Sequence, residues 1–288
     1  MIKSRLQLFF GSLIVIALLV WVGVFSGYKA DSGKKNLQIY FLNVGQGDGE
    51  YIKTPSGQDI LIDGGPDNSV LTELGKVMNF GDMKIDLVIL THPHADHIAG
   101  LVEVLKRYEV DEVWGSGVEY PSATYDTWKK LIIEKNIKNE LVSVPKSADF
   151  GGAKITVLYP LLPEKNLKID NVNNASVVTE LDYGSFSALF TGDAEKSVQS
   201  EIYKNLHAVT VLKVNHHGST NGTDDMWLQI LRPAVAVIEV GAKNTFGHPT
   251  STVIELLKKY AVQIYRTDQN DTINISSDGV NWWVKTGI

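Results

Sequence analysis

An α/β layered protein, two β-sheets packed together and covered outside by helices, is the fold class this sequence predicts, on three observations. Short β-branched runs bounded by Gly, Asn and Asp come in two series, one in each half of the chain, with amphipathic helical stretches between them. The run Leu87–Leu90 is continuously apolar, as in a strand covered on both faces. The 288 residues are 44% hydrophobic and 21% charged, with no internal repeat or low-complexity block, which excludes a disordered, collagen-like or solenoid chain.

At the N-terminus, Leu6–Tyr28 is uncharged and long enough to cross a hydrocarbon core of about 30 Å as a helix. Lys3 and Arg5 precede it, so the positive-inside bias leaves the N-terminus in the cytoplasm and everything after Tyr28 outside. The expected organisation is a single-pass membrane anchor over residues 1–30, a linker over 31–36 and one extracytoplasmic domain over 37–288. The alternative is a cleaved signal sequence and a secreted domain, although the apolar run exceeds a usual h-region and lacks a clear Ala-x-Ala site.

The domain opens with expected strands at Leu37–Leu42, Glu50–Thr54 and Asp59–Ile62, a helix at Val70–Met78, the buried strand Leu87–Leu90 and a helix at Leu101–Tyr108. A helix at Tyr125–Lys135 leads to the second series of strands, at Lys154–Leu158, Val177–Tyr183, Ser187–Phe190, Val209–Val214, Val235–Val240 and Val262–Tyr265. Helices fit Lys196–Asn205, Met226–Ile230 and Ser251–Tyr260 between and after them.

Composition narrows the chemistry. With no Cys there are no disulfides, zinc ribbons or thiol nucleophiles. From position 31 onward, 24 basic residues face 33 acidic ones, a formal charge of −9, unlike a protein that coats nucleic acid non-specifically. A polyanionic substrate would need positive charge from a metal or a small local patch.

Six of the seven His fall in three places: His92, His94 and His97; His216 and His217; and His248. The strongest signal is Thr91-His92-Pro93-His94-Ala95-Asp96-His97, directly after the buried run. In an extended segment His92 and His94 point the same way, and the turn that follows can bring Asp96 and His97 to a second point nearby. Three imidazoles and a carboxylate so close together are satisfied by a divalent cation.

The His-x-His-x-Asp-His pattern resembles the signature of the metallo-β-lactamase fold, and further stretches match in the family's order over roughly residues 37–285. The resemblance implies an αβ/βα sandwich of two mixed sheets flanked by helices. It implies that Asp63, in Leu61-Ile62-Asp63-Gly64-Gly65, supports the metal ligands from behind; that Asp193, in Thr191-Gly192-Asp193, bridges two metals; and that the His216-His217 pair supplies the late His ligand. Asn43-Val44-Gly45-Gln46-Gly47-Asp48, the paired Asn173-Asn174, Lys213-Val214-Asn215-His216-His217-Gly218-Ser219 and Gly247-His248-Pro249 resemble the ComEC-type branch, whose domain is usually attached to a competence membrane channel for DNA uptake. A related branch comprises cell-wall choline-phosphate esterases. One hydrophobic span leaves no room for a pore, so the hydrolase-like domain is carried over and transport is not.

No His lies between His97 and His207, so the family's middle His ligand is missing, and Asn173-Asn174 stands there in order. One metal would then have His92, His94 and Asp193 with oxygen from water, an Asn or substrate, a donor set that shifts the expectation towards Mn²⁺ while leaving Zn²⁺ open. The absence of Cys also sets aside the Cys-ligated lactamase subclasses. Two such cations lower the pKa of bound water towards about 7 and stabilise charge on oxygen. By resemblance, His92, His94, Asp96, His97, Asp193, His216 and His217 hold the metals, with Asp96, Asp193 and the His pair also in catalysis. One of His216 and His217 would complete the second site, with Asp96 and His97, and the other would hydrogen-bond the substrate's oxyanion.

Gln46, Asp48, Asn173, Asn174 and His248 are the candidate substrate contacts. For Gln46 and Asp48 a hairpin role is the alternative, and for His248 a turn or capping role. Ser176 and Ser219 lie in no Gly-x-Ser-x-Gly elbow and are expected to be loop hydrogen-bonders. Lys213 either meets a phosphate or is solvated; His207, Trp282 and Trp283 are surface and packing residues. The expected activity is hydrolysis of a phosphate ester, DNA by resemblance. The alternatives are a teichoic-acid or choline-phosphate polymer, or a non-catalytic metal-binding surface protein that assists DNA uptake.

Overall fold

Alternating burial marks the first strand: in β1 (Leu37–Phe41) Leu37, Ile39 and Phe41 are buried, while Gln38 and Tyr40 are partly exposed. A computed structural model describes residues 36–162 and 170–288, so the expected anchor over 1–30 and all but the last residue of the 31–36 linker lie outside the described residues. Among the described residues, no helix is long and apolar enough to cross a membrane.

The first sheet combines β1 with β2 (Glu50–Lys53), β3 (Asp59–Ile62), β4 (Lys84–Leu90), β5 (Glu109–Gly115) and β6 (Lys138–Leu141), and with β14 (Ile273–Ser277) and β15 (Trp282–Thr286) from the C-terminus. Its order is β15-β14-β1-β2-β3-β4-β5-β6. Pairing is antiparallel from β15 to β3 and parallel from β3 to β6. The second sheet contains β7 (Lys146–Phe150), β8 (Ala153–Tyr159), β9 (Val178–Tyr183), β10 (Phe186–Phe190), β11 (Val211–Lys213), β12 (Val235–Ile238) and β13 (Gln263–Arg266). It runs in chain order, antiparallel up to β10 and parallel beyond. Both sheets are therefore mixed, as the resemblance implies.

The core between the sheets joins Ile39, Phe41, Ile60 and Ile89 of the first to Leu181, Phe186, Phe190 and Val237 of the second. The rings of Phe41 and Phe190 meet across it at 6.1 Å. Outside the first sheet lie α1 (Ser69–Val77), α2 (Ala95–Arg107) and α3 (Ala123–Glu134), whose Leu74, Leu101, Leu105 and Trp128 pack on Val88 and Val113. Outside the second lie α4 (Lys196–Ile202), α5 (Asp225–Leu231) and α6 (Ser251–Lys259), with Val198, Trp227, Leu228 and Leu257 on Leu189, Leu212 and Ala236. A one-turn α7 (Thr267–Asn270) follows β13.

Five strands were not legible: β5, β6, β7, β14 and β15. The helix expected from Leu101 begins at Ala95, so Asp96 and His97 stand in the first turn of α2 rather than in a loop. A helix N-terminus favours a carboxylate there.

The backbones of α2 and the loop after β3 come into direct contact. Gly100 N–H donates to Gly65 O at 3.0 Å, and Gly64 N–H donates to His97 O at 2.8 Å. A Cβ on Gly100 would lie 1.8 Å from Gly64 O. Ala is the better helix former by about 1 kcal/mol, yet Gly100→Ala is expected to lower stability by about 2–3 kcal/mol because the backbones must separate. Thermal denaturation checks this; an unchanged or raised melting temperature would contradict it.

Candidate metal centre

The site lies beyond the carboxyl ends of parallel strands in both sheets, where open α/β sheets expose loops to ligands. After β3 comes Asp63, after β4 the segment Thr91–His94 leading into α2, after β10 Asp193, after β11 His216 and His217, and after β12 Glu239. Each strand is held by the core, so loops distant in sequence converge at fixed positions.

Asp193 is at the centre. Its Oδ2 lies 3.4 Å from His97 Nε2, 3.7 Å from His216 Nε2 and 3.9 Å from His92 Nε2, and its Oδ1 lies 3.7 Å from His217 Nε2. Asp96 Oδ2 is 3.5 Å from His217 Nε2 and 3.9 Å from His97 Nε2. His94 joins from the other side, its Nδ1 3.1 Å from His92 Nε2. One donor atom from each of Asp96, His97, Asp193 and His217 fits within 4.8 Å of the others.

Three of these atoms, His97 Nε2, His217 Nε2 and Asp193 Oδ1, are buried without a hydrogen-bond partner. Buried polar atoms without partners are costly, and imidazole nitrogens converging with carboxylate oxygens are the donor set of a divalent cation. The residues fit a metal. The electrostatics agree: burial alone would lower the His97 imidazole, but Asp193, Asp63 and Asp96 hold it well above its ordinary value. Against the same burial, Asp193 and Asp48 raise His217 to about 10. The pocket is built for positive charge.

Behind the ligands, Asp63 orients His97 and the start of the motif. Its Oδ2 is 2.7 Å from His97 Nδ1 and accepts from the Thr91 hydroxyl at 2.5 Å, while Oδ1 accepts from Thr91 N–H at 2.8 Å. His217 Nδ1 lies 2.8 Å from Glu239 O and 3.2 Å from Asp48 Oδ1. These contacts leave each Nε2 free to face Asp193. Ser176 Oγ accepts from Asp193 N–H at 3.1 Å, and Ser219 Oγ accepts from Asn221 N–H at 3.3 Å, so both serve as loop hydrogen-bonders.

The adjacent pair His216 and His217 is separated by backbone geometry. Both are left-handed, with φ of 47° and 50°, a strained state for non-glycine residues. The turn sends His217 towards Asp96 and His216 towards a different set of neighbours. His216 Nδ1 is 3.5 Å from Glu195 Oε1 and 3.5 Å from Asn173 Nδ2, and its ring meets His248 edge-on at 5.8 Å. His216 is partly exposed, whereas His217 is buried.

The expectations for Asp48 and Lys213 need correction. Asp48 is fully buried, pairing with the Lys213 ammonium, and so cannot touch a substrate. Lys213 is neither solvated nor available to a phosphate, for it too is fully buried, against Asp48 and, at 3.3 Å, Gly192 O. Opposing burial, Lys213 and His217 hold Asp48 down to about 2. Beneath the pair, burial and the Asp48 charge push Glu239 up to about 8, and burial with Glu239 pushes Glu50 well above the usual range. Gln46 spends its side-chain oxygen on Gly241 N–H at 3.1 Å, and Asn174 spends its own on Glu195 N–H at 3.2 Å; both oxygens tie loops together. Asn173, mostly buried, and His248, partly exposed, do stand beside His216.

Three neighbours were missed, among them Glu239, whose carbonyl lies 2.8 Å from His217 Nδ1. Glu195, two positions after Asp193, could have been noticed as a carboxylate beside the bridging one. Tyr120, whose ring meets His94 at 5.4 Å, comes from a loop without any motif.

A family model described as the metallo-beta-lactamase superfamily matches residues 51–241. The chain belongs to the metallo-beta-lactamase superfamily. That membership places it among metal-dependent hydrolases. Its curated relatives include ComE operon protein 3 of Bacillus subtilis, 29% identical over 256 residues, covering 82% of this chain and 32% of the relative. Recombination protein 2 of Haemophilus influenzae is 26% identical over 247 residues, covering 84% of this chain and 29% of the relative. The chain thus spans about a third of the length of these relatives. Among solved structures, the metallo-beta-lactamase fold protein YhfI of Bacillus subtilis superposes with a TM-score of 0.55 at 16% identity, covering 80% of this chain and 96% of that one. This likeness concerns the fold of the superfamily.

Proposed function

We propose that the chain is a binuclear metal-dependent phosphodiesterase, anchored in the membrane with its hydrolase domain outside, and that its substrate is DNA. The observation that carries the hydrolytic reading is the convergence of Asp96, His97, Asp193 and His217 within 4.8 Å of one another, with three of their buried donor atoms unpartnered. His92 and His94 would hold one cation, Asp96, His97 and His217 the other, and Asp193 both. Bound there, Zn²⁺ or Mn²⁺ supplies Lewis acidity and brings the pKa of water near neutrality. Asp63 and Asp48 orient His97 and His217 from behind. His216, partly exposed, with Nδ1 3.5 Å from Glu195 and Nε2 3.7 Å from Asp193 Oδ2, would donate from Nε2 to a phosphate oxygen bound beside Asp193.

DNA as substrate is supported by the name of the Haemophilus influenzae relative, Recombination protein 2. The anchored, extracytoplasmic location is supported by the apolar stretch Leu6–Tyr28 behind Lys3 and Arg5. One observation favours a second reading: the charge of −9 from position 31 onward suits a choline-bearing cell-wall polymer better than a naked polyanion.

The test pairs two variants. His217→Ala is expected to lose metal along with activity. His216→Ala is expected to keep its metal and lose about a hundredfold in kcat on bis-p-nitrophenyl phosphate and single-stranded DNA. Metal analysis beside steady-state kinetics reads both; loss of metal from His216→Ala would make it a ligand. Turnover of a choline-phosphate ester but of neither phosphodiester would replace DNA with the cell-wall substrate.

A further inference from the structure

The loop Gly241–His248 after β12 leaves a large apolar ring in water beside the metal centre. Phe246 is 67% exposed. The exposure is not the product of a loose loop, because Asn244 pins the segment from within. Asn244 N–H donates to Gly241 O at 3.0 Å, and its Nδ2 donates to Gly241 O and to His248 O, each at 2.9 Å. His248 N–H donates back to Asn244 Oδ1 at 3.1 Å. Gly247, at φ 73° with nothing near a built Cβ, lets the chain turn between Phe246 and His248.

Among the described residues the one ring contact of Phe246 is with His248. Phe246 stacks on His248 at 6.0 Å with planes 17° apart, and His248 meets His216 edge-on at 5.8 Å. Two ring contacts therefore lead from Phe246 to the residue beside Asp193. Lys243 lies three positions before Phe246; it is exposed, and no ion-pair partner is found for it among the described residues. The loop contains no Asp or Glu, so it is a local positive segment on an acidic domain.

We infer that Phe246 and Lys243 form a subsite for a nucleotide adjoining the scissile phosphate, Phe246 stacking on its base and Lys243 meeting a neighbouring phosphate. The inference rests on the phosphodiesterase reading and adds residues that would select single-stranded nucleic acid. Base–aromatic stacking contributes about 1–3 kcal/mol per base and tolerates any sequence. A quaternary ammonium is the poorer occupant, because Lys243 repels it and one open ring face is not a cage. An ordered loop that holds Phe246 in water makes sense when a flat partner covers it.

The full chain, loaded with Mn²⁺, is assayed on oligothymidylate as wild type, Phe246→Ala and Phe246→Trp, with metal content measured on each. Expected for Phe246→Ala is a KM raised about tenfold, with a much smaller change in kcat. Phe246→Trp restores the wild-type KM, which a merely structural role would not predict. Fluorescence anisotropy with labelled oligothymidylate is run in parallel, and affinity falls in Phe246→Ala and in Lys243→Ala. Equal KM and equal affinity in wild type and Phe246→Ala overturn the subsite. If the wild type cleaves no phosphodiester, the phosphodiesterase reading fails, and the anisotropy alone decides the subsite. Inhibition by phosphocholine that depends on Phe246, without a loss of oligothymidylate affinity, overturns it in favour of a cationic headgroup.

Discussion

Asp193→Ala is expected to lower metal-dependent phosphodiester cleavage by about ten-thousand-fold, a loss of about 5 kcal/mol in transition-state stabilisation. The magnitude follows from position. Asp193 Oδ2 faces His92, His97 and His216, and Oδ1 faces His217, so on the proposed binuclear reading one carboxylate serves both halves of the donor set. Its removal leaves the remaining imidazoles facing one another with little anionic charge between them, and metal content should fall with activity. His92→Ala, by contrast, touches one half only and is expected to leave partial metal content. Elemental analysis and kinetics on the same preparation separate the two. An Asp193→Ala protein with full metal content and near-normal turnover would remove Asp193 from the centre of the site.

The second large effect is on stability. Asp48→Ala is expected to cost about 3–5 kcal/mol, because it strands the fully buried Lys213 ammonium without its ion-pair partner. For a domain of this size that is a fall of about 10 °C in melting temperature. Asp48 also stands 3.2 Å from His217 Nδ1 and 3.8 Å from His97 Nδ1, so metal affinity should weaken as well. The double variant Asp48→Ala/Lys213→Met removes both charges and is expected to recover much of the stability, since a buried pair costs most when only one partner is removed. Thermal denaturation of the single and double variants is the check. Additive losses would show that the pair does not act as a unit.

These residues also mark what can be read from a sequence. His92, His94, Asp96 and His97 were legible because their spacing is local: a strand end followed by a helix start puts them on one small volume. The layered class was legible from the two series of strands, and both mixed sheets are present. Asp48 and Lys213 were not legible as a pair, because 165 positions separate them and only the packing of two sheets unites them. A Gly-rich turn suggested a site edge, yet Gly47 is there for a close approach: a Cβ on it would lie 2.1 Å from Asp96 O.

The missed strands have physical reasons. In β5, Glu109 and Asp111 alternate with buried Val110, but Glu112 falls on the same face between Val110 and Trp114 and cuts the apolar pattern short. β6 and β7 are edge strands with few buried residues. β14 alternates correctly, Ile273 and Ile275 inward, but its short Asn- and Ser-rich sequence resembles a loop until it pairs with β1. The way adjacent His216 and His217 both reach Asp193, one on each carboxylate oxygen, accompanies two consecutive left-handed residues, which no residue type at those positions announces.

The most direct test of the central claim is metal stoichiometry and cleavage of bis-p-nitrophenyl phosphate on one preparation of the full chain, purified without chelator. The account predicts two equivalents of Zn²⁺ or Mn²⁺, cleavage abolished by stripping the metal and recovered on its return. A folded protein that takes up no stoichiometric metal after reconstitution, or cleavage that persists after stripping, would contradict it.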